Sequence, residues 1–223
     1  MFFLLDHLTS ILAGAAVILI LATVQIGAQR TSLEQTTSYA TKTKMLSFGE
    51  WMEDDILSLG ANFGRNRFRF EPPQHDANGN TTRFVFFSDS VLVSGDTLRL
   101  MTRYRLYPTR TVTRGGREVD LYEVRRHTAQ MPVNNGVAGE PGEGSGPGNW
   151  TYAGQSLSTL AGFEIRLLQR DGSETTDPER GDFIQLHFRV VPEYPIEPEY
   201  LRELYWTNTL KVKPFWEPPP EAG

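Results

Sequence analysis

The hydrophobic positions of this 223-residue chain change period along its length, and each period predicts a different element. From Leu8 to Ala28 the run LTSILAGAAVILILATVQIGA is uncharged and apolar on every side. A hydrocarbon core about 30 Å thick needs roughly 20 residues at 1.5 Å rise each, so this run is long enough to span a bilayer. No Pro separates it from the next stretch, where Met45, Phe48, Met52, Ile56 and Leu59 recur at steps of three and four. That spacing puts them on one helical face, with Glu50, Glu53, Asp54 and Asp55 filling the other side. Gly60, then Asn62, Gly64 and Pro72-Pro73, predict a stop near Gly60. The expectation is one helix of about 50 residues that begins in lipid and ends against a soluble core.

A cleaved secretory signal fits less well. It needs a basic flank, a shorter apolar core and a small-x-small site followed by unstructured sequence. Here the flank is Met-Phe-Phe-Leu-Leu-Asp-His, and helical patterning continues past the run.

From Arg83 onward the period is two. Leu98, Leu100, Tyr104 and Leu106 alternate with Arg99, Met101, Arg103 and Arg105, which predicts a strand with one buried and one wet face. Ile184, Leu186, Phe188 and Val190 alternate with Gln185, His187 and Arg189 in the same way. Shorter strands are expected at 84–87, 119–124, 163–168 and 210–212. Gly115-Gly116 marks a hairpin between 109–113 and 119–124, and Asp171-Gly172 marks a second turn. Strands that follow one another without helical periods between them make an antiparallel sheet. The Gly-, Pro- and Glu-dense stretch 132–148 reads as a flexible surface loop, and the Pro-rich tail 214–223 as extended chain. Pro-blocked strands near the end belong at a sheet edge. The fold class expected is α+β: a long N-terminal helix, membrane-spanning in its first half, packed on an antiparallel β-sheet domain. Its divisions are a transmembrane helix at 1–30, a soluble continuation at 31–60 and a β-rich globular domain at 61–223.

Composition narrows the chemistry. The chain has no Cys, which excludes disulfides and thiolate metal sites. A net charge of −5 with both signs interspersed offers no basic stripe for nucleic acid.

The opening Phe2-Phe3-Leu4-Leu5-Asp6 resembles the start of a mature type IV pilin-like protein, in which Phe leads an apolar helix with a carboxylate at its fifth place. The later order is similar to the larger minor pilins of type IV pili and minor pseudopilins of type II secretion: Tyr104-Arg105-Leu106, then Leu121-Tyr122-Glu123-Val124, then a strand pair around an Asp-Gly turn. Two positions depart from that pattern. Asp6 stands where the family has Glu, and Met1 alone precedes Phe2 where the family carries a basic leader ending in Gly. The resemblance implies a structural subunit that assembles through its N-terminal helix into a hetero-oligomeric filament or tip complex with other pilin-like subunits. It also implies a bacterial inner membrane, with the globular domain periplasmic or extracellular. Phe2 and Asp6 are then the assembly residues, Asp6 pairing with a neighbour's N-terminal amine. A membrane-end carboxylate is costly unless paired or at headgroup level, and both settings remain open for Asp6. Arg30, Lys42 and Lys44 follow the span, so charge alone favours the opposite orientation. The alternative function is a single-pass anchored extracytoplasmic binding or adaptor domain that does not polymerise.

Small residues in the span, Gly14, Ala15, Ala22 and Gly27 among them, let helices approach closely, although no Gly-xxx-Gly pair is present. Enzyme signatures are missing. His7, His75, His127 and His187 form no His-x-x-x-His pair, Gly142-x-Gly144-x-Gly146 lacks the strand and helix of a nucleotide loop, and no Gly-x-Ser-x-Gly occurs. No small-molecule substrate and no cofactor are expected. The nearest approach to a metal site is Asp76, Asn78 and Asn80, spaced around Gly79 as in a calcium loop but without the closing Glu, so an Asn-Gly turn is the better reading. Trp150, Tyr152, Trp206 and Trp216 read as plugs of a small core in preference to partner anchors.

Overall fold

A computed structural model of the chain describes residues 2–59, 70–91, 96–134, 137–138, 140–143, 148–192 and 203–212, with the side chains of 2–6, 91, 114, 134, 137 and 138 outside that description. The N-terminal segment is one unbroken helix, α1 (Phe2–Leu57), of 56 residues and so about 84 Å long. Residues 7–33 are exposed on every side. The helix is long and apolar enough to cross a membrane. Burial begins at Thr41 and follows the expected stripe through Met45, Phe48, Met52 and Ile56 to Leu59. Leu59 closes the helix with a tighter turn, its N–H donating to Ile56 O at 3.0 Å.

Among the described residues the remaining elements are strands: β1 (Gln74–His75), β2 (Thr81–Val91), β3 (Thr97–Arg114), β4 (Arg117–Asn134), β5 (Val137–Ala138), β6 (Gly142–Glu143), β7 (Asn149–Gln155), β8 (Leu160–Leu168), β9 (Glu174–Thr175), β10 (Phe183–Val190) and β11 (Leu204–Lys211). The main path, β1-β2-β3-β4-β8-β10-β11, follows sequence order as an antiparallel meander, with β5, β6, β7 and β9 attached beside it. The layout is α+β, and β11 lies at the path's end, as its Pro-flanked sequence predicts.

Two stretches differ from expectation. The segments 98–106 and 109–113 are one strand, because Thr109 is an extra residue in a bulge beside Pro108 that lets Pro enter a ladder without breaking it. Gly115 and Gly116, with φ of +55° and +73°, then turn the chain into β4. The stretch 132–148 is not simply loop. Residues 132–134 finish β4, β5 pairs with β4, and β6 pairs in parallel with β7.

The core lies between the helix stripe and the inner face of the sheet. Phe48 meets Phe188 at 5.3 Å between ring centroids, and Phe188 stacks on Trp206 at 4.4 Å. Phe84, Phe86 and Tyr104 continue the layer. Gly49 makes this contact possible, since a Cβ there would stand 2.6 Å from the Trp206 ring.

A polar latch sets the register of helix on sheet. Asp55 receives Arg126 at 2.6 and 2.9 Å, and Tyr104 donates its hydroxyl to the same carboxylate. Burial opposes charge on Arg126, but its hydrogen bonds to Asp55 and the attraction between them outweigh this and raise its pKa. Burial, reinforced by Asp55, also holds the Tyr104 hydroxyl neutral well above its ordinary range. Two residues earlier on the helix, Glu53 accepts the Asn208 side-chain amide of β11 at 2.5 Å.

Candidate functional site

Two surfaces lie away from the main core: the exposed part of the helix and the outer face of the sheet. On the helix, Gly14, Ala15, Ala22 and Gly27 are all exposed, and a Cβ added at Gly14 or Gly27 would meet nothing within 4 Å. At about 100° per residue Ala15 and Ala22 share a face, whereas Gly27 points elsewhere, so these positions make no single stripe. The backbone at Phe2 and Asp6 is helical, while their side chains lie outside the described residues. Thr23 and Thr31 donate their hydroxyls to the carbonyls of Leu19 and Gly27 at 2.8 and 3.1 Å. Thr36, Thr37, Thr41 and Thr43 do the same one turn back. Such back-bonding satisfies the hydroxyl within its own helix and permits gentle bending.

The outer face is built by cross-strand register. Arg83, Arg105 and Arg125 stand directly abreast on β2, β3 and β4, and Val85, Arg103 and His127 form the next row. Periodicity marks Met101 and Arg103 as wet, yet both are buried. The cause is β7 and the short segment before it, which fold over this face. Trp150 packs with Val85, Met101 and Ala129, its ring lies 4.3 Å from the Arg103 guanidinium, and Glu143 takes that guanidinium at 2.6 and 3.3 Å.

The acids on this face are apportioned. Glu71 pairs with Arg83 at 2.6 Å and Glu123 with Arg125 at 2.5 Å, while Arg125 also lies over Tyr107 at 4.5 Å. Among the described residues Arg105 has a ring neighbour, Tyr107 at 5.6 Å, but no carboxylate within ion-pair distance. The Arg103 side chain keeps only 5% of its exposure, and neither its Nε nor His127 Nδ1 has a hydrogen-bond partner among the described residues. Burial, then the positive charge of Arg103, lowers the His127 pKa. The hydrogen bond from Arg103 lowers that of Glu143. Three arginines, Arg83, Arg103 and Arg105, and three carboxylates, Glu71, Glu140 and Glu143, line a cleft of about 330 Å³ beside Trp150.

The calcium-spaced residues have other work. Asp76 Oδ1 accepts the N–H groups of Asn78 and Asn80, both at 2.8 Å, closing the β1–β2 turn. Asn80 Oδ1 accepts the N–H of Phe163 at 3.3 Å and Thr81 Oγ1 that of Ile165 at 2.8 Å, tying the first hairpin to β8. Among the described residues no three His, Cys, Asp or Glu side chains are grouped to hold a metal ion. After the Asp171-Gly172 turn, Asp171 and Asp177 accept backbone N–H groups of Ser173 and Glu179. Trp206 and Trp150 plug the two sides of the sheet as expected, Tyr152 is 54% exposed, and Trp216 lies outside the described residues with the rest of 214–223.

The sequence reading finds the arginines of β3 but not the row across the strands, because their neighbours depend on register. Comparison of the chain with protein-family models, curated proteins and solved structures returns no match.

Proposed function

We propose that the chain is a structural subunit, like a minor pilin or pseudopilin, anchored once in a bacterial inner membrane with its β-domain on the periplasmic or extracellular side. It assembles through its N-terminal helix into a pilus or secretion pseudopilus and catalyses no reaction. The observation that carries this reading is mechanical. One unbroken helix stays exposed over residues 7–33, with no part of the described core against it there, and is locked into a meander sheet over its last turns. A bare apolar helix of that length calls for lipid or other helices as its surroundings, and a rigid junction transmits their packing to the domain. The pilin-like start, Phe2 to Asp6, agrees with that use of the helix.

N-terminal peptide mass spectrometry of the protein from its native membrane tests this. A chain beginning at N-methylated Phe2 is the expected result. A chain beginning near Ala28 would remove the membrane helix and sink the proposal. Asp6→Ala should also abolish helix-to-helix cross-links between subunits; unchanged cross-links would remove Asp6 from assembly. The second reading, an anchored binding or adaptor domain that does not polymerise, draws its support from the arginine-lined cleft. A mature chain with an unmodified start and no multimer cross-links would favour it.

A further inference from the structure

We infer that the cleft on the outer face of the sheet is a receptor site for a carboxylate, delivered by an acidic peptide segment of a partner protein. The first observation is an apparent fault in the fold. Arg83, Arg105 and Arg125 are direct cross-strand neighbours, and like charges placed so are destabilising. Glu71 and Glu123 relieve the outer two. Arg105, between them and exposed, has no carboxylate within ion-pair distance among the described residues, and Glu143 attracts it only from further off. Its guanidinium is therefore the open position of the row, presented to solvent with two further guanidinium groups beside it.

The second observation is independent. Arg103, in the adjoining row, is almost wholly buried against Trp150, and its Nε–H has no partner among the described residues. A buried donor left unmade is costly, so a group that could satisfy it would be held well. Glu143, already on Arg103 in a two-pronged arrangement, demonstrates which chemistry fits: a planar carboxylate against a planar guanidinium. Glu143 is itself 68% exposed and sits on a two-residue strand, so an incoming carboxylate can exchange with it.

The walls select among anions. Glu71, Glu140 and Glu143 line the cleft with the three arginines, and a dianionic phosphate would meet all three carboxylates. A single carboxylate carried on a peptide suffers less repulsion, and Pro141, beside the small exposed edges of Trp150 and Met101, offers apolar surface to its chain. The cleft volume of about 330 Å³ is at the small end of ligand sites and suits one or two side chains, not a large cofactor. The site lies on the face of the sheet opposite α1, so it stands whether or not the helix assembles into a filament.

The test is calorimetric titration of the full chain in neutral detergent micelles with a peptide carrying one carboxylate, N-acetyl-Ala-Glu-Ala amide, beside N-acetyl-Ala-Gln-Ala amide and inorganic phosphate. The glutamate peptide should bind, and more weakly as salt rises, while the glutamine peptide should not. Arg105→Gln should weaken binding at least tenfold, Glu143→Gln should tighten it several-fold by removing the resident carboxylate, and Arg117→Gln at the hairpin start should leave it unchanged. Arg105→Gln should also leave the urea midpoint of unfolding equal or higher, since it relieves the row. No binding at millimolar peptide, equal binding of the glutamine peptide, tighter binding of phosphate, or unaltered affinity in Arg105→Gln would each overturn the assignment. A lowered urea midpoint in Arg105→Gln would overturn the claim that Arg105 is held at a cost to the fold.

Discussion

Asp55→Asn should weaken the hold of the helix on the sheet about as much as a large core truncation, because one carboxylate holds two partners that are mostly covered. The substitution keeps the shape of the side chain and one acceptor oxygen, so its cost reports the lost charge. An exposed ion pair contributes about 0–1 kcal/mol, and breaking a fully buried one costs about 3–5 kcal/mol. The Arg126 and Asp55 side chains retain 18% and 14% of their exposure, which puts this pair nearer the buried limit. A loss of about 3 kcal/mol follows, which for a domain of this size lowers the melting temperature by about 6–12 °C. Tyr104→Phe, which removes one hydrogen bond to a charged acceptor, should cost about 1.5 kcal/mol or somewhat more. The assay is urea unfolding of the full chain in micelles, read by tryptophan fluorescence, since Trp51 lies 5.5 Å from the Arg126 guanidinium. The decisive arm combines Asp55→Asn with Arg126→Met. Removing both charges leaves no stranded ion, so the double variant should be more stable than Asp55→Asn alone. A cost under about 0.5 kcal/mol for Asp55→Asn, or a double variant as weak as the sum of its singles, would refute the latch.

Two further expectations follow from the packing. Gly49→Ala should destabilise by about 1–3 kcal/mol, because the new methyl meets the Trp206 ring at 2.6 Å and that ring is pinned by its stack on Phe188. If the ring could move aside, the same change would stabilise the helix by up to about 1 kcal/mol, so the sign of the shift in urea midpoint decides. The second concerns pH. Burial and Arg103 depress the pKa of His127, with Arg105 and Arg125 adding to this and Glu143 opposing it. The unfolded chain therefore takes up a proton first, near pH 6.5, and stability falls as pH drops from there through the folded value. Glu143, depressed by Arg103, contributes stability above the ordinary carboxylate range and loses it only below. His127→Gln should flatten the melting profile just below about pH 6.5, and Glu143→Gln should flatten only the acid end. A His127→Gln profile that overlays the parent would rule the first out.

The helix and its buried stripe were legible because a step of three and four is a geometric consequence of 3.6 residues per turn, and no competing pattern interrupts Met45 to Leu59. The central strands were legible for the same reason at period two, and β10 buries every second residue as its sequence dictates. Strand β7, residues 149–155, has no clear sequence signal, because Gly and Pro surround it and its role is to cover an outer face that periodicity alone marks as wet. The arginine row was hidden for a sharper reason. Counting back from the Gly115-Gly116 turn without the bulge at Thr109 would set Arg105 opposite Arg126, whose side chain belongs to the inner latch. One extra residue shifts the register and brings Arg125 opposite instead. A Pro within a long two-period strand, followed by Thr, was the available signal.

The bulge, the latch and the helix act on one another. Because the bulge re-phases β4, Arg126 turns inward to Asp55 while its neighbour Arg125 turns outward into the row. The contact that locks the helix and the surface that offers itself to a ligand are thus adjacent residues on one strand, facing opposite ways. A tether alone would need no such coupling; a Gly- or Pro-broken linker after the apolar run would hold a domain at a membrane equally well. Here α1 carries no break between its exposed turns and its locked ones, and threonine back-bonds at 31–43 allow it to bend without parting. Rotation of the helix about its axis, set by whatever packs against residues 7–33, therefore turns the arginine face with it. That coupling gives a helix-assembled subunit a fixed presentation of its outer face, a property that an independently tumbling binding module has no use for.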